Sequence, residues 1–116
     1  MNIENIKSIT NDLNQSLKLI YGEKLKNLIL FGSYARGDAH KNSDIDFLAV
    51  IDSKDVPFDP CKEIDTMNDA IYEMVLKYDI AISVIPVSEY QYLNSPNPLF
   101  INVKNEGIAA WTKNLK

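Results

Sequence analysis

The chain has 116 residues with an ordinary globular composition, 46% hydrophobic and 24% charged, and a net charge of −4. This length fits one domain, so we expect residues 1–116 to form a single domain. The acidic balance argues against an extended nucleic-acid surface, which would need clustered lysines and arginines. The single cysteine, Cys61, excludes an internal disulfide and a cysteine-based zinc cluster.

The sequence carries no sign of a membrane or export segment. No apolar run approaches the roughly 18–20 residues of a membrane-spanning helix. The first seven residues, Met-Asn-Ile-Glu-Asn-Ile-Lys, are polar and mixed in charge, unlike a signal peptide. We therefore expect a cytoplasmic protein.

The first half of the chain predicts one helix followed by two strands. Apolar residues at helical spacing predict a helix over residues 3–21, which Gly22 would end. The apolar run 25–31 predicts a first strand, residues 34–41 a turn or one helical turn, and residues 44–51 a second strand. The short connection between the two strands favours an antiparallel or mixed sheet over a fully parallel one.

The middle of the chain predicts a second long helix and a third strand. Asp59 suits a helix N-cap and Pro60 a first helical position, and the apolar spacing continues the helix over residues 60–78. Residues 79–87 are rich in β-branched side chains and predict a strand. Pro86 near its end indicates a position at the edge of the sheet.

The last part of the chain predicts helical structure. Residues 88–94 resemble a short helical turn, and a break follows at residues 95–98, Ser-Pro-Asn-Pro. Apolar residues at helical spacing predict a final helix over residues 99–111, in which Gly107 is a weak point. The whole order, helix, strand, strand, helix, strand, helix, predicts an α/β (α+β) fold with a small mixed sheet flanked by helices.

The turn after the first strand is a candidate phosphate site. Gly32 has no Cβ to block close approach, and the backbone N–H groups that follow carry partial positive charge. The Ser33 hydroxyl could donate a further hydrogen bond, and Arg36 could add a charge-assisted contact. Taken alone, a Gly-Ser pair more often marks an ordinary turn with a helix cap.

Asp44 and Asp46 form a candidate metal site on the second strand. Residues at i and i+2 of a strand face the same way, about 6–7 Å apart. Leu48 and Val50 on that face are apolar, so the acids do not belong to a polar stripe. Two carboxylates beside a phosphate-binding turn suit Mg²⁺, and two ions could serve phosphoryl transfer. The alternative is a strand with a solvated face.

A third carboxylate would complete such a site, as a further metal ligand and as a base for the attacking hydroxyl. Asp79 is the only acid in or at the third predicted strand. The alternative for Asp79 is an ordinary turn position between a helix and a strand. Ala81 and Ser83 share its face of the predicted strand and are the other candidates for that place.

In these residues the chain resembles the minimal nucleotidyltransferases of the DNA polymerase beta superfamily. The resemblance rests on Gly32-Ser33-Tyr-Ala-Arg36-Gly, followed by Ser-Asp44-Ile-Asp46, and on Asp79 after the second long helix. It implies a small mixed sheet flanked by helices. It also implies the transfer of a nucleoside monophosphate from a nucleoside triphosphate to a hydroxyl, with release of pyrophosphate.

The resemblance also implies a role for each site residue. The Gly-Ser pair, residues 32 and 33, would hold the β- and γ-phosphates of ATP, with Arg36 in support. Asp44 and Asp46 would bind two Mg²⁺ ions. Asp79 would bind one of these ions and help to deprotonate the acceptor.

Short members of this family pair with a HEPN-domain ribonuclease toxin and act as its antitoxin by adding AMP to a toxin tyrosine. The resemblance therefore implies a protein adenylyltransferase in a hetero-oligomer. Nucleotidyl transfer to a small molecule such as an aminoglycoside remains an alternative, as does a non-catalytic module that neutralises its partner by contact alone. Fold-level analogy does not choose between them.

Overall fold

A computed structural model of the chain describes residues 3–39, 43–52, 58–106 and 108–112. The helices are α1 Ile3–Tyr21, α2 Ser33–Arg36, α3 Pro60–Tyr78, α4 Glu89–Asn94 and α5 Pro98–Glu106, with a 3-10 turn at Gly22–Lys24. The strands are β1 Leu25–Phe31, β2 Ile45–Ile51, β3 Ile82–Ser88 and β4 Ile108–Thr112. Among the described residues no helix is long and apolar enough to cross a membrane.

The strands form one mixed sheet in the order β3-β2-β1-β4. β1 is antiparallel to both of its neighbours, β2 and β4, whereas β2 and β3 are parallel. This confirms the mixed sheet predicted from the short connection between the first two strands. β3 lies at an edge of the described sheet, as Pro86 indicated, because a proline has no N–H to donate to a further strand.

The limits of α3 follow from local chemistry. The Asp59 carboxylate accepts hydrogen bonds from the N–H groups of Cys61 at 3.1 Å and Lys62 at 3.4 Å, and Pro60 follows at the first helical position. The helix ends where Asp79 adopts a left-handed conformation, with φ 55° and ψ 46°. The predicted helix over residues 60–78 is confirmed.

Helices cover both faces of the sheet. α1 and α3 pack on one face, where the buried apolar side chains include Ile9, Leu13, Leu17, Leu28, Leu30, Phe47, Met67 and Met74. α5 and the neighbouring α4 pack on the other face, around Ile29, Leu48, Val50, Val87, Phe100 and Val103. We call this second surface the α5 face of the sheet. Leu48 and Val50 belong to it, so the alternation along β2 places Asp46 on the same face.

Polar contacts join α1 to α3. The Tyr21 hydroxyl donates a hydrogen bond to Glu63 at 2.6 Å, and burial together with this carboxylate raises the pKa of Tyr21. Asp12 accepts hydrogen bonds from Lys77 at 2.8 Å and from the Tyr78 hydroxyl. These two donors lower the pKa of Asp12 because they favour its ionised form.

The predicted final helix over residues 99–111 is confirmed as far as Glu106, but its extension to residue 111 is wrong. α5 ends at Glu106, and β4 runs antiparallel to β1, with Leu30 opposite Ile108 and Leu28 opposite Trp111. Gly107, the predicted weak point, lies outside the described residues. The helical spacing of apolar residues in this segment is overridden by pairing with an open edge of β1, a long-range contact that spacing does not report.

Boundaries next to the predicted site residues also differ from the sequence-based expectation. The short helix covers Ser33–Arg36 instead of residues 34–41, and β2 begins at Ile45, one residue after Asp44. β3 begins at Ile82, because Asp79 is used in ending α3. The third difference moves Asp79 out of the strand in which it was expected.

Candidate active site

The turn after β1 depends on a glycine for two reasons. Gly32 has φ 79° and ψ −155°, a backbone conformation open almost only to glycine. In addition, a Cβ at this position would lie 2.5 Å from Oδ2 of Asp46. The group that approaches Gly32 closely in the structure is the Asp46 carboxylate, and the approach of a phosphate to this turn stays a prediction.

The short helix α2 leaves backbone donors at this turn. The N–H groups of Ala35 and Arg36 both donate to the Gly32 carbonyl, at 3.1 and 3.0 Å. The N–H groups of Ser33 and Tyr34 come before these bonds and, within the described chain, have no protein acceptor. Unpaired N–H groups beside a cationic arginine are suited to bind the oxygens of a phosphate.

The register of the sheet fixes what surrounds Asp46. Phe31 of β1 and Ser83 of β3 lie directly opposite it, so these three side chains form a row across the α5 face. The next row toward the middle of the sheet consists of Ile29, Leu48 and Ile85. Asp46 is therefore a half-buried carboxylate at the border of an otherwise apolar surface.

The electrostatics of this border make the ionised form of Asp46 less favourable than it is in water. Burial raises the pKa of Asp46, the nearby Asp44 carboxylate raises it further, and the Arg36 guanidinium acts in the opposite direction. Asp44 is exposed, just before β2 begins. Arg36 also donates a hydrogen bond to Asp38 through Nε at 3.2 Å. Two carboxylates that repel each other are a common feature of functional sites.

The donor set fits a divalent cation. Asp44 and Asp46 offer carboxylate oxygens, the ligands that Mg²⁺ prefers, and a cation would remove the repulsion between them. Gly32 leaves the space that the Asp46 carboxylate needs. Mg²⁺ completes its coordination shell with water and phosphate oxygens, so a site open toward a phosphate-binding turn suits this ion.

Asp79 does not join this pair. It ends α3, where its N–H donates to the Val75 carbonyl at 2.9 Å, and its side chain is exposed. The described residues contain no group of three or more His, Cys, Asp or Glu side chains that could hold a metal ion. The residue of the third strand that lies beside Asp46 is Ser83.

The structure thus brings together every predicted site residue except Asp79: Gly32, Ser33, Arg36, Asp44 and Asp46. From the sequence, Ser83 was only an alternative to Asp79 as the third site residue. Alternation along the third strand placed it on one face, but the partner opposite it depends on pairing with β2. The sequence predicts Phe31 only as the last residue of the first strand. Its place beside Asp46 follows from the antiparallel register of β1 and β2.

Comparisons with known proteins identify relatives along most of the chain. Residues 7–105 match the family described as the nucleotidyltransferase domain. MJ0604 of Methanocaldococcus jannaschii is 40% identical over 102 residues, which are 87% of this chain and 92% of that protein. MJ1305 of the same organism is 34% identical over 99 residues, 84% of this chain and 66% of that protein. Both have the provisional name protein adenylyltransferase. The chain thus spans just under two thirds of the length of MJ1305.

Two solved structures share the fold. One is a toxin–antitoxin crystal structure with AMP-PNP, with a TM-score of 0.64 and 21% identity over 90% of this chain and 74% of that chain. The other is a variant of the toxin–antitoxin MntA–HpeT, with a TM-score of 0.62 and 18% identity over the same shares of the two chains. Because the family match covers most of the sequence and agrees with the fold and the site, the chain belongs to the nucleotidyltransferase domain family.

Proposed function

We propose that the chain is an Mg²⁺-dependent nucleotidyltransferase that transfers AMP from ATP to a hydroxyl group. The observation that carries the proposal is the approach of Asp46 to Gly32, so close that a Cβ would not fit between them. It places a carboxylate suited to a divalent cation against a turn suited to phosphate. ATP is bound with Mg²⁺ on its phosphates, so the two parts are required side by side. Membership of the nucleotidyltransferase family supports the same reaction class.

Each residue has a part in binding and orienting the nucleotide. The backbone at Gly32 and Ser33, with the Ser33 hydroxyl, would bind the β- and γ-phosphates, and Arg36 would add positive charge. Asp44 and Asp46 would hold two Mg²⁺ ions, which when bound would stabilise charge on the attacking and leaving oxygens. The site would thereby align the α-phosphorus with the acceptor, which is the main contribution of an enzyme to phosphoryl transfer.

In the reaction, the acceptor oxygen forms a bond to the α-phosphorus. The bond from the α-phosphorus to the oxygen that bridges the α- and β-phosphates breaks, and pyrophosphate leaves. The acceptor loses its proton to a base or to water. The role of Asp79 as this base and as a metal ligand stays a prediction, since its exposed place at the end of α3 does not bring it to the pair.

We propose further that the acceptor is a tyrosine of a HEPN-domain ribonuclease toxin, and that the chain is the antitoxin of this toxin in a hetero-oligomer. Two neighbours of the same fold were crystallised as toxin–antitoxin assemblies, and the curated relatives are named for adenylyl transfer to protein. A tyrosine hydroxyl ionises near pH 10, so it needs less help from a base than an aliphatic hydroxyl.

A non-catalytic antitoxin is the second candidate. It is favoured by one observation: within the described residues the metal site has two carboxylates and no third acid beside them. In that case the chain would neutralise its toxin by binding, and the nucleotide site would not be used for transfer. The family resemblance and fold would be the same under both functions, so a direct assay is needed to separate them.

The assay incubates the chain with ATP labelled at the α-phosphate, Mg²⁺ and the HEPN-domain protein expected in the neighbouring reading frame. We expect label on the partner, and its loss in Asp44→Asn and Asp46→Asn. Asp69→Asn, which alters an exposed carboxylate on α3, is the matched control and should leave labelling unchanged. Binding and neutralisation of the toxin without label, unaffected by the two site variants, would establish the non-catalytic function. Asp79→Asn in the same assay tests the third predicted carboxylate.

A further inference from the structure

The place beside Asp46 on β3 is occupied by a hydroxyl. In the parallel register Ser83 lies directly opposite Asp46, and their Cα atoms are therefore about 4.8 Å apart, the spacing of neighbouring strands. Residues that pair in this way project to the same side of the sheet. The Ser83 hydroxyl and the Asp46 carboxylate thus share the border of the α5 face.

Ser83 is unusual for its surroundings. Its neighbours on the same face of β3, Ile85 and Val87, pack in the apolar core. The Ser83 side chain is half-buried, and its hydroxyl has no hydrogen-bond partner in the described part of the chain. Among the described residues, Oδ1 of Asn14 is the only buried side-chain N or O atom without a partner, so solvent still reaches the Ser83 hydroxyl. A cation held by Asp46 could reach this hydroxyl as well.

Ser83 also occupies the position that Asp79 was expected to fill. Ile45 pairs with Ile82, so β3 is aligned with β2 from its first residue, and Asp79 lies three residues earlier in a left-handed turn. A shift of register that brought Asp79 opposite Asp46 would put Ala81 and Ser83 opposite Leu48 and Val50, in the places that the larger apolar Ile85 and Val87 now fill.

We propose that Ser83, and not Asp79, supplies the third protein oxygen of the metal site, as a neutral ligand beside the carboxylates of Asp44 and Asp46. This inference rests on the proposed function, because it assigns a residue to the Mg²⁺ site of that function. Serine and threonine hydroxyls do coordinate Mg²⁺ beside nucleotide phosphates in other folds. A neutral ligand leaves less negative charge at the site than a third carboxylate, so the bound ions depend more on the phosphates of ATP.

The first test measures Mn²⁺ binding by electron paramagnetic resonance, with Mn²⁺ in place of Mg²⁺ and with a non-hydrolysable ATP analogue. Removal of one oxygen ligand in Ser83→Ala should weaken Mn²⁺ binding about tenfold, and Ser83→Thr, which keeps the hydroxyl, should restore it. Ser83→Asp should tighten binding, whereas Asp79→Asn should leave it within about twofold of the parent. Equal binding by the parent and Ser83→Ala, or weakened binding in Asp79→Asn, would overturn the assignment.

The second test distinguishes a ligand from a packing residue. A thiolate prefers soft metals, so Ser83→Cys should lose Mn²⁺ affinity and gain Cd²⁺ affinity at the site. The exposed Cys61 is replaced by Ser in both the parent and the Ser83→Cys variant, so that it does not bind Cd²⁺. A side chain that only packs would not exchange one metal preference for the other.

The two tests also separate this inference from the proposed function. If the parent protein binds neither Mn²⁺ nor the nucleotide analogue, the proposed function fails. If the parent binds both and Ser83→Ala binds them equally well, only the role of Ser83 fails. Circular dichroism of each variant confirms that the sheet is intact. If Ser83→Ala does not fold, Ser83→Cys decides, because unchanged Mn²⁺ affinity without a gain in Cd²⁺ affinity would overturn the assignment.

Discussion

Asp46 is expected to destabilise the metal-free protein, and Asp46→Asn should reveal this. Burial and Asp44 raise the pKa of Asp46 above its value in the unfolded chain, near 3.8. Below that pH both states are protonated and there is no cost. As the pH rises through the unfolded and then the raised folded pKa, ionisation costs the folded state more, and the full cost is present at neutral pH. Asparagine cannot ionise, so the cost disappears.

The size of the effect follows from the partial burial of the side chain. Each unit of pKa shift is worth about 1.4 kcal/mol, but Asp46 is only half-buried and solvent screens its repulsion from Asp44. We therefore expect Asp46→Asn to stabilise the metal-free fold by roughly 0.5–1 kcal/mol. In a domain of this size that raises Tm by about 2–6 °C.

Mg²⁺ should reverse the order of the melting temperatures of the parent and Asp46→Asn. A ligand at a hundred times its Kd stabilises the folded state by about 2.7 kcal/mol, an increase in Tm of roughly 10 °C. The parent should gain this stability in Mg²⁺ with a nucleotide analogue, and Asp46→Asn should gain little. Asp46→Asn therefore melts above the parent in EDTA and below it in Mg²⁺. The exposed Asp69→Asn is the control and should follow the parent in both conditions.

The assay is thermal unfolding followed by circular dichroism at pH 4 to 8, in EDTA and in Mg²⁺. The stabilisation by Asp46→Asn should grow with pH from about 4 and then level off. If Asp46→Asn melts at or below the parent in EDTA at pH 7, the half-buried Asp46 carboxylate carries no folding cost and the reasoning is refuted. If both proteins respond equally to Mg²⁺, Asp46 is not a ligand.

Three further predictions concern the turn and the helix contacts. Gly32→Ala forces a strained backbone, at about 1–3 kcal/mol, and a clash with the Asp46 carboxylate, so both Tm and nucleotide binding should fall; unchanged binding would contradict the fit of the turn. The lowered pKa of Asp12 gives stability that is lost as the pH falls below about 4. In urea unfolding, Asp12→Asn should therefore show a smaller loss of unfolding free energy between pH 7 and pH 3 than the parent. Tyr21→Phe removes the hydrogen bond to Glu63 and should lower the unfolding free energy by about 1 kcal/mol in urea titration, with no effect on metal binding.

The sequence predicted those parts of the fold that depend on local chemistry. The cap at Asp59 and the helical spacing after it define α3 without reference to any other element, and the prediction was confirmed. The segment 108–112 has the same spacing, yet it pairs with β1, and no local signal indicates that this strand has an open edge. Local patterns therefore predicted an element whose limits depend on its own residues, as in α3. They failed where the conformation of a segment depends on pairing with a strand far away in the sequence, as in β4.

The same distinction holds in the candidate site. Gly32, Ser33, Arg36, Asp44 and Asp46 lie within one short stretch, and a turn between adjacent antiparallel strands brings them together. The third position is contributed by β3, which reaches the site only through its register with β2. Asp79 was predicted for this position because a third carboxylate suits a metal site. In the structure Asp79 forms the left-handed turn that ends α3, and Ser83 lies beside Asp46 instead.

A serine at that position bears on the choice of acceptor. A third carboxylate could accept the proton of an aliphatic hydroxyl, but a neutral Ser83 beside Asp46 offers no such base at this point of the site. An acceptor that ionises near pH 10, such as tyrosine, requires far less assistance at neutral pH, and a nearby divalent cation lowers that requirement further. The proposed ligand set and the proposed tyrosine acceptor therefore support each other: a site with a weak base favours transfer to the most acidic hydroxyl that a protein partner can present.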